Sequence, residues 1–467
     1  MASSSTAADD ERRAGLAFAE LAAQLPEGVL VDDPDILEGY RRDRADDPAA
    51  GRPRAVARPT STDEVSRILR WASANAVAIV PRGAGSSLSG GSTAVDGCLV
   101  LSTERMRDIA VDPVTRVAVV QPGLMNAEVK AAAAEHGLWY PPDPSSFEFC
   151  SIGGNIATNA GGLCCVKYGV TADYVLGVEV VLADGEVMRL GGPRIKDTAG
   201  LSLLKLFVGS EGTLGVFTEA TLRLLPAPPA PSTLIATFGE LRKASEAVIA
   251  ICGKLRPAML EFMDGPTINA VEDMLRMGLD REAAAMLVIQ SDAPGQAAEA
   301  EVGLIADIVR AAGATEVFVT ADPQEGEAFV VARRVAIPAV ERLGHLLLED
   351  VGVPIPKLAD LIDGVRAIGE ANDVAIAVIA HAGDGNTHPL IVHDPADEDE
   401  TMRAERAFGE IMGLAIRLDG TITGEHGVGR LKKAWLPAQI GPQAMDLSRR
   451  IKTALDPTGV LNPGAIF

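Results

Sequence analysis

The sequence predicts an α+β protein of two or three domains, and three observations carry that expectation. The chain has 467 residues, more than one simple hydrophobic core serves. Strand-like apolar runs alternate with amphipathic helical runs through its second half. Between the halves, Pro226-Ala-Pro-Pro-Ala-Pro-Ser232 breaks both helix and sheet and reads as a linker, so a domain boundary is placed there.

In chain order, residues 1–13 lack an apolar core after a basic segment and read as a disordered tail, not a secretory signal. A short helical stretch is expected near residues 14–24. Ser61-Thr-Asp-Glu64 forms a capping box and opens a helix with Val65, Ile68, Leu69 and Ala72 on one face. The buried strand at 78–80 runs into the loop Pro81-Arg-Gly-Ala-Gly-Ser-Ser-Leu-Ser-Gly-Gly91. Residues 109–121 read as a hairpin around Asp112-Pro113, and Asn126 is expected to cap a helix ending at Gly137. A second hairpin at 178–190 turns at Asp184-Gly185, a type I′ signal, and 215–225 is strand-like. After the linker, strands are expected at 233–238, 286–290, 316–320, 345–351 and 374–381.

With 47% hydrophobic and 23% charged residues, the chain has ordinary globular composition. A formal charge of −22 makes nucleic acid and anionic membrane poor partners. An anionic substrate then needs a local cluster of Arg, Lys, metal ion or backbone N–H groups to overcome that field. Five cysteines without C-x-x-C spacing signal neither disulfides nor a thiolate zinc site, which suits a reducing compartment. No run of about 18 apolar residues occurs. A cytoplasmic protein is expected, any membrane association being peripheral, at the inner face.

Three glycine-rich segments invite a nucleotide. The 81–91 loop offers close backbone approach, N–H groups and hydroxyls for a pyrophosphate, yet matches neither the nucleoside-triphosphatase nor the dinucleotide fingerprint; a flexible turn explains it equally on local grounds. Ser151-Ile-Gly-Gly-Asn-Ile-Ala-Thr-Asn-Ala-Gly-Gly162 could admit a flat ring or simply pack a helix on a sheet. Gly209-Ser-Glu-Gly-Thr-Leu-Gly215 could be a plain turn.

The histidines are the sharper signal. Of six, His381, His388, His393 and His426 lie in the last fifth of the chain. His381-Ala-Gly-Asp-Gly-Asn-Thr-His388 puts two imidazoles at the ends of a glycine-rich turn, and a hairpin would bring both onto one ligand. Glu425-His426 adds a carboxylate and a third ring. Two His plus one carboxylate suits Zn²⁺, Mn²⁺ or Fe²⁺; ordinary hydrogen-bonded histidines are the alternative.

Taken together, in this order and spacing, and with the ending Asp456-Pro-Thr-Gly-Val-Leu-Asn-Pro-Gly-Ala-Ile-Phe467, these segments resemble the vanillyl-alcohol oxidase and p-cresol methylhydroxylase flavoprotein superfamily. The likeness is to its glycolate oxidase and D-lactate dehydrogenase branch and spans about residues 30–467. It implies a two-subdomain FAD-binding domain at 14–227, an α/β cap or substrate domain with an antiparallel sheet at 228–425, and a C-terminal segment, 426–467, returning to the FAD domain. It implies that Pro81, Arg82, Gly83, Ala84, Gly85, Ser86 and Ser87 hold the FAD pyrophosphate. Pro142, Asp143, Ser151, Gly154, Asn155, Asn159, Gly162, Glu211 and Val216 would line the cofactor, and Asn462 would close the site. No histidine stands in the first loop to tether flavin, so FAD is expected to be non-covalent.

The same resemblance implies that His381, His388 and Glu425 bind a divalent metal, zinc first, with manganese or iron open. His426 would face the substrate and act as the base, and Arg333 would grip its carboxylate, with Arg334 an exposed neighbour. His393 is expected at the surface or outside the ligand set, and Asp384 to shape the turn. Ile337 and Leu348 stand where hydroxyglutarate-oxidising relatives carry a Thr and a Lys, and Pro389-Leu390 follow His388 where diacid enzymes offer an Asn. The implied reaction is therefore metal-assisted oxidation of a small D-2-hydroxy acid such as D-lactate or glycolate. Electrons would pass to a quinone, cytochrome, electron-transfer flavoprotein or dioxygen. A D-2-hydroxyglutarate-type enzyme and an FAD-bearing subunit of a multi-subunit glycolate oxidase are the alternatives, and the assembly is open, a homodimer included.

Overall fold

Two main sheets lie before the proline-rich segment and one large sheet after it, with a two-stranded pair, Leu138–Trp139 and Leu225–Pro226, at the segment's start. The computed structural model describes residues 18–45 and 47–467; the tail expected at 1–13 and the first residues of the helical stretch expected at 14–24 fall outside them. Residues 18–24 are helical. The first sheet has four strands in the order Leu30–Val31, Ala55–Ala57, Leu99–Ser102, Ile79–Arg82, the last three mutually parallel. Helix Thr62–Asn75 covers it with Val65, Ile68, Leu69 and Ala72. Its cap accepts the Glu64 N–H on Ser61 Oγ at 3.3 Å, but the Glu64 carboxylate takes the N–H of Thr60, one residue earlier than a standard box.

The second sheet is antiparallel, in the order Ile109–Asp112, Val117–Val120, Val216–Arg223, Val175–Val181, Val187–Gly191. Both predicted hairpins are in it. The turn of the second differs from expectation. Val181 pairs with Val187 and the Leu182 N–H reaches Glu186 O, so three residues make the loop. Gly185 has φ 81° while Asp184 stays outside the left-handed region, which a type I′ turn would not allow. Asn126 also differs: it is the first residue of helix Asn126–Ala134, not its cap. Its buried amide instead donates to Pro142 O and Asn155 Oδ1.

After residue 231 every strand joins one antiparallel sheet. Its order is Glu316–Thr320, Ser232–Phe238, Ala285–Ser291, Met259–Asp264, Ala375–His381, Asn386–His393, His345–Leu348, with Val351–Gly352 also on Asn386–His393. Helices cover both faces, which is why its central strands read as unbroken apolar runs. Leu234, Leu260, Phe262, Leu287 and Ile289 point to one helical layer; Ile235, Met259, Met263, Met286, Val288 and Ile379 point to the other. The run expected at 345–351 is split by Glu349-Asp350, and Met259–Asp264, interrupted by Glu261, carries no clear strand signal in the sequence.

Helix Leu436–Leu455 brings the chain back, with Ile451 and Leu455 against the core of the second sheet. Leu461 then bridges Ile79 in parallel, and the Asn462 N–H bonds Ile79 O at 2.7 Å. Among the described residues, no helix is long and apolar enough to cross a membrane.

Candidate active site

Period-two alternation gathers the chemistry on one sheet face. Ala377, Ile379 and His381 share that face, and Ile379 pairs with His388 on the next strand. On the other side Met263 pairs with Ile379 and Phe262 with Ala380, a register that sets Glu261 beside His381. The helix Pro323–Arg334 covers the same face and turns Arg333 into it. A cleft runs from this cluster to the glycine- and serine-rich loop at the end of strand Ile79–Arg82.

The loop end of the cleft is built for an anion. Gly85 takes φ 73°, and a Cβ there would meet Arg82 Nη2 at 2.1 Å; one on Gly83 would meet Ser151 Oγ at 2.3 Å. Ser151 Oγ accepts the N–H groups of Ala84 at 3.2 Å and Gly154 at 3.3 Å, which ties the loop to helix Ile152–Thr158. The N–H groups of Gly85, Ser86 and Ser87 have no acceptor among the described residues, the arrangement that binds phosphate oxygens.

Of the predicted cofactor residues, Pro81, Arg82, Gly83, Ala84, Gly85, Ser86, Ser87, Ser151, Gly154, Asn155, Glu211 and Val216 all line this cleft. The other five stand beside it, each engaged by neighbouring protein groups. Pro142 O receives Asn126, and Asp143 is taken by Arg334 at 2.5 Å and Lys130 at 3.4 Å. Asn159 accepts the Ala172 N–H, and Gly162 packs on Asp143 O. Asn462 donates to Gly91 O at 2.8 Å and Glu211 O at 2.7 Å. Arg334 is accordingly not the exposed neighbour expected: Asp143 holds it half-buried over the Phe147 ring. Glu211 accepts Val428 N–H and Gly429 N–H at 2.7 Å each; burial still pushes its carboxyl up to about 7.

At the other end, Glu425 Oε1 lies 3.2 Å from both His381 Nε2 and His388 Nε2, and 3.7 Å from His426 Nε2. The opposite ring nitrogens are occupied. His381 Nδ1 faces the Glu261 carboxylate at 2.9 Å and His388 Nδ1 faces Glu349 O at 3.3 Å. Protons held at those Nδ1 atoms leave two Nε2 lone pairs converging on a carboxylate oxygen, a donor set that fits a divalent cation. Asp350, His388, Glu425 and His426 also have ligand atoms within 4.8 Å of one another. Asp350 Oδ2, however, already accepts Thr423 Oγ1–H and the N–H groups of Gly424, Glu425 and His426, and it sits on the Nδ1 side of both rings. It orients the set.

Arg333 is 2% exposed, with Nη2 2.8 Å from Glu261 Oε2 and Nε unpartnered. His426 stacks on His388 at 4.9 Å. Burial pushes its imidazole down to about 4, against the pull of Asp350. Asp384 accepts the Asn386 N–H and shapes the turn. His393 is buried, not at the surface; it contacts Thr401 and the His345 ring, outside the cluster.

Sequence reasoning missed Glu261, Glu349, Asp350 and Lys432. The available signal was acidic residues inside apolar strand runs. Lys432, 1% exposed, donates to Asp350 O and Ile422 O and lies 3.8 Å from Glu349 and 3.9 Å from Asp350. Burial pushes the Glu349 carboxyl up to about 8. Burial also opposes ionisation of Asp350, but His426, Lys432 and His388 beside it hold its carboxyl well below the usual range, and its four donors act in the same direction. Lys432→Ala is expected to destabilise the fold by about 3 kcal/mol, the scale of a broken buried ion pair. A shift in the urea midpoint reports it, and an unchanged midpoint refutes it.

Comparison with known proteins follows the same division of the chain. Residues 227–466 match the family described as "FAD linked oxidases, C-terminal domain", and residues 53–191 match "FAD binding domain". The glycolate oxidase subunit GlcD of Bacillus subtilis (strain 168) is 44% identical over 418 residues, 89% of each chain. The D-lactate dehydrogenase of Archaeoglobus fulgidus is 35% identical over 441 residues, 92% of this chain and 95% of that one. Among solved structures, p-cresol methylhydroxylase with substrate bound superposes with a TM-score of 0.81 over 96% of each chain at 18% identity, so the two share a fold.

Proposed function

The chain belongs to the FAD-linked oxidases, and from that premise we propose that it oxidises a small D-2-hydroxy acid to the 2-oxo acid by hydride transfer to flavin N5, beside a divalent cation held by His381, His388 and Glu425. One observation carries this reading: the cleft that begins at the anion-binding loop ends at the imidazole, carboxylate and guanidinium cluster. The names of the relatives, glycolate oxidase subunit and D-lactate dehydrogenase, supply the substrate class.

When bound, FAD supplies the hydride acceptor and the cation supplies a Lewis acid. Arg333, steadied by Glu261, pairs with the substrate carboxylate and fixes its orientation. His426 takes the hydroxyl proton at Nε2 while Asp350, 4.0 Å from Nδ1, favours the ring that results. Ile337 lines the cleft and Leu390 is buried; neither offers a partner for a distal carboxylate, which favours a short acid over hydroxyglutarate. A second reading, that steady turnover needs partner subunits, is favoured by a relative that is itself named a subunit.

Mixing the flavin-loaded protein anaerobically with D- and L-2-hydroxy acids tests the reading. Glycolate or D-lactate is expected to bleach the flavin absorbance of the isolated chain, and failure of every 2-hydroxy acid to do so defeats it. Bleaching without steady turnover would support the dependence on partners. Arg333→Lys is expected to raise KM by about 10²-fold, since an ammonium cannot reproduce the guanidinium fork; an unchanged KM removes Arg333 from carboxylate binding. Gly85→Val, which forces a branched side chain into a left-handed position against Arg82, is expected to yield folded, colourless protein. Retention of full flavin absorbance would refute the assigned role of the loop.

A further inference from the structure

Glu425 can be approached from two sides. With His388 and His426 it lines the flavin-side cleft, and with His381 it lines a second cavity that opens beside the 381–388 turn. Asp173, Asp384 and Asp419 are the exposed acidic residues of that cavity. At its floor lie His381, 3% exposed, and Asn386, 9% exposed, whose Oδ1 has no hydrogen-bond partner. Two glycines keep the floor open: a Cβ on Gly424 would strike Asn386 Oδ1 at 2.2 Å, and one on Gly161 would strike Glu425 Oε2 at 2.6 Å.

On the reading that His381, His388 and Glu425 hold a divalent cation, we infer that this second cavity is the path by which the cation enters and leaves while flavin and substrate fill the cleft. The acidic mouth attracts a dication and repels the anionic 2-hydroxy acid, so one field sorts the two ligands to opposite sides of Glu425. Asn386 Oδ1, a neutral oxygen beside the two inner ligands, offers a way-station that strips part of the hydration shell without trapping the ion. The cleft cannot serve while it is occupied. The flavin-side face of Glu425 is the one turned toward the substrate, and an ion leaving that way would have to cross the bound acid and ring.

The test uses FAD-loaded protein and Zn²⁺. Release is followed by stopped-flow capture in a chromogenic chelator, and uptake by rapid mixing of metal-depleted, flavin-retaining protein with Zn²⁺. Val170→Trp narrows the cavity wall and is expected to slow both rates at least about tenfold, with equilibrium Zn²⁺ affinity, flavin absorbance and Tm unchanged. Asp419→Asn, at an exposed position with φ 60° that Asn tolerates, is expected to slow uptake about threefold at low salt and to leave it unchanged at high salt. Equal exchange rates in wild type and Val170→Trp overturn the path, as does wild-type exchange that proceeds only as fast as FAD dissociates. An unaltered low-salt rate in Asp419→Asn overturns the role of the acidic mouth. Protein that takes up no Zn²⁺, Mn²⁺ or Fe²⁺ brings down the metal reading and the path with it, and the equilibrium titration separates that result from the kinetic ones.

Discussion

His426→Ala will leave a yellow, folded protein whose flavin is bleached by 2-hydroxy acid about 10²–10⁴-fold more slowly, the usual share of a positioned general base. The expectation comes from placement. His426 lies at the cleft end nearest the cluster, stacked on His388 and backed by a carboxylate that four donors keep ionised. His426 meets the 81–91 loop through its carbonyl, which accepts the Ser89 hydroxyl at 3.1 Å and survives the substitution, so flavin content is expected to be untouched. Anaerobic stopped-flow bleaching measures the effect, and undiminished bleaching would remove His426 from proton transfer.

Glu425→Gln will have the larger effect on metal content. Its Oε1 is the atom on which both Nε2 lone pairs converge, and an amide there supplies a neutral ligand in place of a charged one. Bound divalent cation is expected to fall below the level detectable by elemental analysis, and kcat by about 10³-fold or more. Exhaustive chelation of the wild type should reproduce the loss without releasing FAD, and readdition of metal should restore the wild type alone. A chelated enzyme that keeps full turnover would show that the cluster serves structure and not catalysis.

Much of this was readable in the residues. The glycine and serine loop, the paired histidines and the Glu425-His426 step all carry local signatures, because a backbone anion site and a hairpin-borne ligand pair each impose composition on a few consecutive positions. What could not be read is long-range. Glu261 supports both His381 and Arg333, yet within Met259–Asp264 it is one charge in a strand, and only the antiparallel register places it beside His381. Asp350 is similar: its worth lies in four donors, three of them backbone groups more than 70 positions away. Asp184-Gly185 reads as a type I′ turn yet forms a three-residue loop, because one glycine with positive φ serves either. Asn462 has a left-handed backbone, and its amide bonds the carbonyls of Gly91 and Glu211, a junction between three distant stretches that no local pattern announces.

That amide has a consequence for biosynthesis. Three stretches far apart along the polypeptide meet at Asn462, so the nucleotide groove is left unfinished until residue 462 has been synthesised. A nascent chain that has not yet reached that residue presents a half-walled groove to free flavin, and chains truncated before residue 462 should accumulate without colour.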